Sequence, residues 1–477
     1  MVHSTDIKKK KSMIKLDYNF MLDTSIGKHG ISQKDVQKDT AKMLAAHKTV
    51  LDNRGKGWQE WTELVNAPVA ELQKIKADLK PVFEKAESFV VLGIGGSALG
   101  PLSVFSALLH YRHNELPRAK RKAPKFYVED NIDPERMQAL LDVIDLKTAY
   151  FNVITKSGET SETLAQFLIL YDILKKQLGA AEAKKRIIVT TTIGKGTLYK
   201  IAEKEGFKIY GVGEGVGGRF SVFSSVGLIP FAALGIDIEK LIAGAKKMAE
   251  SSYIADPTKN AALMSAYLQV KSMSKGKNIS VMMPYADSLK FMADFYGQLW
   301  GESLAKAVDN KGKTVFSGQT PAKSLGVTDQ HSQIQLYTEG PFDKVLTFIT
   351  VNKFNKSMPI PSDDSIEACC FLKGQSLEKL LTAELIATRF AVTKAGRPNF
   401  TIELDSVTEE SVGALLMYFM YQTAFAGALM NIDTYNQPGV EEGKKATFAM
   451  LGRKGYEEKL AEVNAKKTSN EFVISVR

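Results

Sequence analysis

Short apolar runs alternate along the first half of the chain with longer segments whose apolar residues recur every three or four positions. "SFVVLGI" (88–94), "KFYVED" (125–130), "AYFNVIT" (149–155), "RIIVTTT" (186–192) and "FKIYGV" (207–212) are rich in β-branched and aromatic residues and read as strands. Between them, segments such as "ETLAQFLILYDILKKQLG" carry the helical period. A second series begins after "LIPFAALGID". It has helical patterns near 238–274 and strands at "NISVMMPYA" (278–286), "KVLTFITV" (344–351) and "NFTIEL" (399–404). Helices are predicted at 286–307, 376–395 and 408–430.

Strands that alternate with helices this way build parallel sheets covered on both faces. The pattern therefore predicts an α/β chain with two doubly wound parallel sheets in tandem. The expected boundaries are an N-terminal arm with some helix at 1–45, a first sheet domain at 46–235, a second at 236–430, and a helical C-terminal segment at 431–477.

The length of 477 residues agrees with more than one core. No apolar run is expected to span a bilayer, and no apolar stretch like a signal peptide follows "KKKK" at Lys8–Lys11, which reads as a solvated arm. The net charge of +10 is spread along the chain without a basic stripe or interleaved aromatics. That distribution argues against a nucleic-acid surface and suits a small anionic substrate. Cys369 and Cys370 are adjacent, so no disulfide framework is expected and a cytoplasmic location is. The six histidines show no HExxH spacing, and nothing in the sequence calls for a metal.

Several stretches carry chemistry. "NVITKSGETSET" (152–163) places four hydroxyls, one Lys and one Gly between a strand and a helix, an arrangement suited to an anion. In "VVLGIGGSALG", Gly93, Gly95 and Ala98 satisfy a loose dinucleotide pattern. Glu129 and Asp130 come about 35 residues later, beyond the spacing of about 20 that a ribose contact needs. Contact of this turn with a phosphate or sugar oxygen ranks first, a bare turn second and a dinucleotide third. "GVGEGVGGRFSVFSSVG" offers Arg219 next to glycines, either facing an oxyanion or as a surface residue. Gln298, Glu302 and Lys306 share one helical face. They read either as a solvated pair or as a carboxylate base in a partly apolar pocket. His331 lies among Asp329, Gln330 and Ser332, which can orient it. Lys444 and Lys445 come after Pro438, which is placed as at a helix start, and read as solvated on spacing alone.

Taken together, "GIGGSALGP", "TKSGETSET", "GGRFSVFSSVG", "GQLWGES", "TDQHSQIQ" and "NQPGVEEGK" resemble, in order, the motifs of the glucose-6-phosphate isomerase family, in its bacterial-length form. The resemblance spans roughly Gly93 to Lys444. It implies two SIS-type sugar-isomerase sheets, with N- and C-terminal segments wrapped around the second. It implies an aldose–ketose isomerase of glycolysis and gluconeogenesis that acts on a hexose 6-phosphate with neither metal nor redox cofactor. It also implies a cytoplasmic homodimer in which His331 reaches across the interface. By position, Glu302 matches the family's base and Arg219 the residue that steadies the enediolate. His331 and Lys444 match the pair linked to ring opening. Gln298 and Gln437 match substrate-contacting glutamines. Gly96, Ser97, Thr155, Lys156, Ser157 and Thr160 match the sugar-phosphate loops. Two positions depart from the family pattern: Thr155 stands where Ser is usual, and Glu159 stands where Thr is frequent. The Glu159 carboxylate is expected to point away from the phosphate.

Overall fold

The computed structural model describes residues 13–361, 366–466 and 468–476, so the Lys8–Lys11 run lies outside the described residues. Two compact units succeed each other, Met1–Thr434 and Tyr435–Arg477.

The strands are β1 (Ile14–Asp17), β2 (Ser88–Leu92), β3 (Lys125–Glu129), β4 (Ala149–Ile154), β5 (Ile187–Thr191), β6 (Lys208–Gly211), β7 (Ile279–Pro284), β8 (Lys306–Val308), β9 (Thr314–Ser317), β10 (Thr320–Lys323), β11 (Lys344–Lys353) and β12 (Asn399–Ser406). The first sheet has the order β3-β2-β4-β5-β6 and is parallel throughout. Its inner strands β2 and β5 are buried at every position. A strand covered on both faces has no polar side to show, which is why these runs are continuously apolar instead of alternating. Val90, Leu92, Phe151 and Val153 of this sheet pack with Phe167 and Leu170 of the helix Ser161–Leu178.

The second sheet has the order β1-β12-β11-β7-β10. Its four later strands are parallel, and β1 is antiparallel to β12, with Ile14 opposite Leu404. The sequence pattern did not mark β1, β10 or the antiparallel pair β8–β9. Each is short, and β10 carries Pro321, which an edge strand tolerates because no partner needs its missing N–H on that side. The helical pattern expected over 238–274 is two helices, Ile238–Ser252 and Ala261–Met273. Asn260 makes the break. Its Oδ1 accepts the Leu263 N–H at 3.0 Å, and its amide donates to the Ser252 and Ile254 carbonyls, both at 2.9 Å.

The helix Glu409–Met430 is the centre of the second half. It is long and apolar enough to cross a bilayer, contrary to the sequence expectation, and its most apolar window is 94% buried inside the protein. Its apolarity on all sides follows from that burial. It crosses Ile238–Ser252 at two glycines. A methyl on Gly413 would lie 2.0 Å from the Leu241 carbonyl oxygen, and one on Gly244 1.9 Å from that of Glu410.

In the second unit, the turn Pro438–Val440 leads into the helix Glu441–Met450, and then comes the helix Glu457–Ala465. Phe448 meets Tyr456 edge-on at 5.5 Å, with Arg453 over both rings. Lys459 bridges Glu442 and Glu462.

Candidate active site

In the first sheet the direction of chain travel reverses between β2 and β4. The crevice at the carboxyl ends of strands flanking such a switch point is where open α/β sheets bind ligands. Two of the sequence-predicted loops frame it. After β2, Gly95 adopts φ +58° and caps the helix Gly96–Leu108, whose first turn carries the half-buried Ser97. After β4, the Thr155 hydroxyl lies 2.7 Å from that of Thr160 and 3.4 Å from that of Ser157. Thr160 is the N-cap of Ser161–Leu178, yet its side chain does not bond the helix; it bonds Thr155. Three hydroxyls therefore stand at a helix N-terminus, where N–H groups and the helix dipole favour an anion.

Lys156 behaves differently. Its ammonium donates to the Glu214 carbonyl at 2.6 Å and sits 4.4 Å from the centre of the Trp58 ring. Burial lowers its pKa, an effect partly opposed by Glu60 and Glu214. Lys156 thus joins the hydroxyl loop to the glycine segment that leads to Arg219. Glu159 turns to the next helix, Gly196–Glu205, and accepts the Thr197 N–H at 2.8 Å and the Thr197 hydroxyl at 2.7 Å. Its carboxylate caps that helix.

Arg219 sits on a single turn, Gly218–Phe220, and is 5% exposed. Its Nε donates to Ser303 Oγ at 2.7 Å and one Nη to the Thr434 carbonyl at 2.8 Å. The other Nη reaches Glu302 Oε2 at 3.3 Å. A guanidinium can fill three directed bonds at once, and here two of them fix its plane. The surface reading of Arg219 is therefore excluded. The glycines before it let two loops meet, because a methyl on Gly96 would lie 2.1 Å from the Gly218 carbonyl oxygen.

Glu302 lies in the last turn of the helix Lys290–Leu304. Leu299, Trp300 and Ser303 around it are buried, while the Glu302 side chain keeps 35% exposure. It therefore faces an opening, with Arg219 on one side. Gln298 donates to Glu302 Oε1 at 3.2 Å, and a methyl on Gly95 would come 2.9 Å from the Gln298 amide nitrogen. The glycine turn after β2, Gln298, Glu302 and Arg219 are one connected group.

Lys306, a solvated partner of Glu302 in one of the two sequence readings, is 7% exposed. Its Nζ donates to the Glu302 main-chain carbonyl at 2.7 Å. Burial and the nearby Arg219 bring its pKa down to about 8 against the pull of Asp433 and Glu302.

His331 comes after β10 and the turn Thr328–Gln330. Its ring is exposed and has no hydrogen-bond partner among the described residues. Asp329 beside it is occupied by the Leu325 N–H and the Ser332 hydroxyl. Gln437 and Lys444 belong to the second unit. Both are exposed, and Lys444 pairs with Glu441 at 2.9 Å.

Sequence reasoning missed Ser303 and the Thr434 carbonyl. The first differs in no visible way from any helical serine, and a main-chain carbonyl carries no residue-type signal at all. The dinucleotide reading loses its acidic residues, since Glu129 and Asp130 both bind Arg136, at 3.0 and 2.7 Å. Among the described residues, no group of three or more His, Cys, Asp and Glu side chains has the arrangement of a metal site. A cavity of about 880 Å³ is lined by none of the residues above; its walls include Phe20, Ile386 and Phe390 and the Asp17–Arg389 pair.

The sequence profile of the phosphoglucose isomerase family matches residues 72–470. A glucose-6-phosphate isomerase from Carboxydothermus hydrogenoformans is 46% identical over 97% of this chain and 99% of its own length. One from Rubrobacter xylanophilus is 39% identical over 93% of this chain and 99% of its own length. Among solved structures, a hypothetical protein from Thermus thermophilus superimposes with a TM-score of 0.82 at 32% identity, covering 92% of this chain and 100% of that one. A glucose-6-phosphate isomerase from Chlamydia trachomatis has the same fold, with a TM-score of 0.77 at 19% identity over 92% of this chain and 90% of that one.

Proposed function

The chain belongs to the phosphoglucose isomerase family, and from that premise we propose that it interconverts glucose 6-phosphate and fructose 6-phosphate by proton transfer through a cis-enediolate. The observation that carries the reading is the Glu302 carboxylate held 3.3 Å from the buried Arg219 guanidinium, at the edge of the switch-point crevice. An acid–base group beside a fixed cation suits a reaction that moves a proton between neighbouring carbons and leaves a negative charge on oxygen in between.

The residues take these roles. The 6-phosphate is received by the hydroxyls of Thr155, Ser157 and Thr160, with Lys156 bracing their loop and Gly96 and Ser97 on the facing loop. That remote contact orients C1 and C2. Glu302 removes the proton from C2, the electron pair forms the C1–C2 double bond, and the former carbonyl oxygen at C1 takes up the charge. Arg219 stabilises that charge. The same carboxyl returns its proton to C1, and the proton on O2 passes to the charged O1 as the new carbonyl forms at C2. Gln298 holds the carboxylate at its other oxygen. His331 and Lys444 are assigned the proton transfers of ring opening, and Gln437 a substrate contact, by their match to the family motifs. The proposal includes a cytoplasmic homodimer in which His331 serves the neighbouring subunit; its exposed ring, without a partner among the described residues, is consistent with that.

The test is conversion of fructose 6-phosphate to glucose 6-phosphate with a chelator present and no NAD in the isomerase step. Conversion by the native chain, reduced roughly 10²–10⁴-fold in Glu302→Gln, is the expected outcome. Near-normal turnover in that variant removes Glu302 from the role. A folded chain that binds the sugar phosphate without converting it overturns the reading.

A further inference from the structure

Lys306 has a place in the fold that its spacing from Glu302 does not announce. The chain reverses directly after the Glu302 helix. β8 begins at Lys306, which pairs with Ser317 of β9. The Ser317 hydroxyl donates to the Leu304 carbonyl at 2.9 Å, and the Gly318 backbone packs against Ala305. The main chain of Lys306 is therefore fixed by the hairpin, and its side chain folds back over the end of the helix to reach the Glu302 carbonyl. The same hairpin holds the segment that carries Asp433 and Thr434, since the Asn310 N–H donates to the Asn431 carbonyl at 2.9 Å. Arg219 in turn donates to Thr434. Helix end, hairpin, Arg219 turn and the 431–434 segment thus converge around one nearly buried ammonium.

We propose that Lys306 is a positioning residue for the Glu302–Arg219 pair: its ammonium, held between the Arg219 turn and the Asp433 segment, fixes the last turn of the Glu302 helix through the Glu302 carbonyl. A carbonyl at a helix C-terminus has no partner within the helix, and a cation there meets both the carbonyl and the dipole. The charged groups facing Lys306 are Glu302 from the helix, Arg219 from its turn and Asp433 from the last segment. Arg219 repels the ammonium while the two carboxylates attract it, so gain or loss of its proton changes the balance that sets the spacing of the pair. With a pKa brought down to about 8, that change falls within the range an enzyme assay can scan. A shift of about 1 Å in a catalytic group costs on the order of a hundredfold in rate.

The inference rests on Glu302 acting as the base. The experiment measures kcat and KM for fructose 6-phosphate from pH 6 to 10 in the native chain, Lys306→Arg and Lys306→Met, with Glu302→Gln beside them. In the native chain kcat declines as pH rises past about 8. In Lys306→Arg, whose cation persists, that decline moves upward or disappears. In Lys306→Met, kcat near neutral pH falls roughly tenfold or more and KM stays within about twofold. An alkaline decline left in place by Lys306→Arg overturns the proposal, and so does a Lys306→Met variant with kcat within about twofold of native. Should Lys306→Met fail to fold, the Arg variant decides. An active Glu302→Gln would overturn the functional reading itself, whereas an inactive Glu302→Gln with unaffected Lys306 variants would overturn this inference alone.

Discussion

Gly96 and Gly218 bring the turn after β2 and the Arg219 turn into backbone contact, so closely that a Cβ on Gly96 would stand 2.1 Å from the Gly218 carbonyl oxygen. The obstacle is main chain on both sides, and no rotamer change relieves it. Gly96→Ala is expected to lower stability by about 1–3 kcal/mol through overpacking and to lower kcat as Arg219 is displaced. Thermal unfolding and turnover measured on one preparation check both effects. A variant with native melting temperature and native kcat would show that the two loops can separate without cost.

Arg219 donates in separate directions to Ser303, Glu302 and Thr434. A lysine can keep the charge but not the fork. Arg219→Lys is expected to lose roughly 10²–10³ in kcat, the size of effect seen when one preorganised oxyanion donor is removed. Circular dichroism should remain that of the folded chain. A kcat within a few-fold of native would mean that charge alone, without directed donors, serves the reaction.

Glu159 caps the helix Gly196–Glu205 through the Thr197 N–H and hydroxyl. Glu159→Ala is expected to cost about 1 kcal/mol, as for other lost N-terminal caps, while KM for the sugar phosphate changes little. If the carboxylate faced the phosphate instead, its removal would relieve repulsion and KM would fall. The direction of the KM change separates the two arrangements.

Acid should unfasten the N-terminal helices. Asp39 binds the Lys271 ammonium at 2.8 Å and the Tyr267 hydroxyl at 3.0 Å, and the Lys271 bond is the main cause of its lowered pKa. A carboxyl with a lowered folded value contributes stability that is present above the ordinary value of 3.8 and is lost as pH falls through the folded one. Urea midpoints should therefore drop below about pH 4, and drop less in Asp39→Asn. Equal acid sensitivity in both chains would assign the loss to other carboxylates.

The inner parallel strands were legible because burial on both faces leaves largely apolar runs, as in β2, β4 and β5, whereas the edge strand β6 has no buried residue and was read from its β-branched and aromatic residues. β1 escaped because four residues, "IKLD", give no period to count. At the site, residue type marked the hydroxyl loop as suited to an anion but left Glu302 open between a solvated partner and a base, and only the family motifs singled it out. Residue type did not announce where Lys156 points, because a flexible stem can end at a phosphate or, as here, at the Glu214 carbonyl. Lys306 was misread for a related reason. A four-residue spacing after Glu302 places it on the same helical face only while the helix continues, and the helix stops at Leu304. The β8–β9 hairpin begins there instead and turns the side chain inward.

The pairing of β1 with β12 also sets an order of events during synthesis. The first sheet runs from Ser88 to Gly211 without borrowing a strand from elsewhere. The second sheet takes its edge from the chain's beginning, and Lys15 meets Glu403 across 388 residues. At about 5–20 residues per second, β1 waits roughly 20–80 seconds for its partner to leave the ribosome. The first sheet can be complete by then, so the pairing of β1 closes a very long loop onto the edge of the second sheet. The entropic penalty of such a loop grows only slowly with its length, but its contact order makes it slow. β1 is only four residues long and includes a lysine and an aspartate, features that make a waiting strand a poor template for another chain.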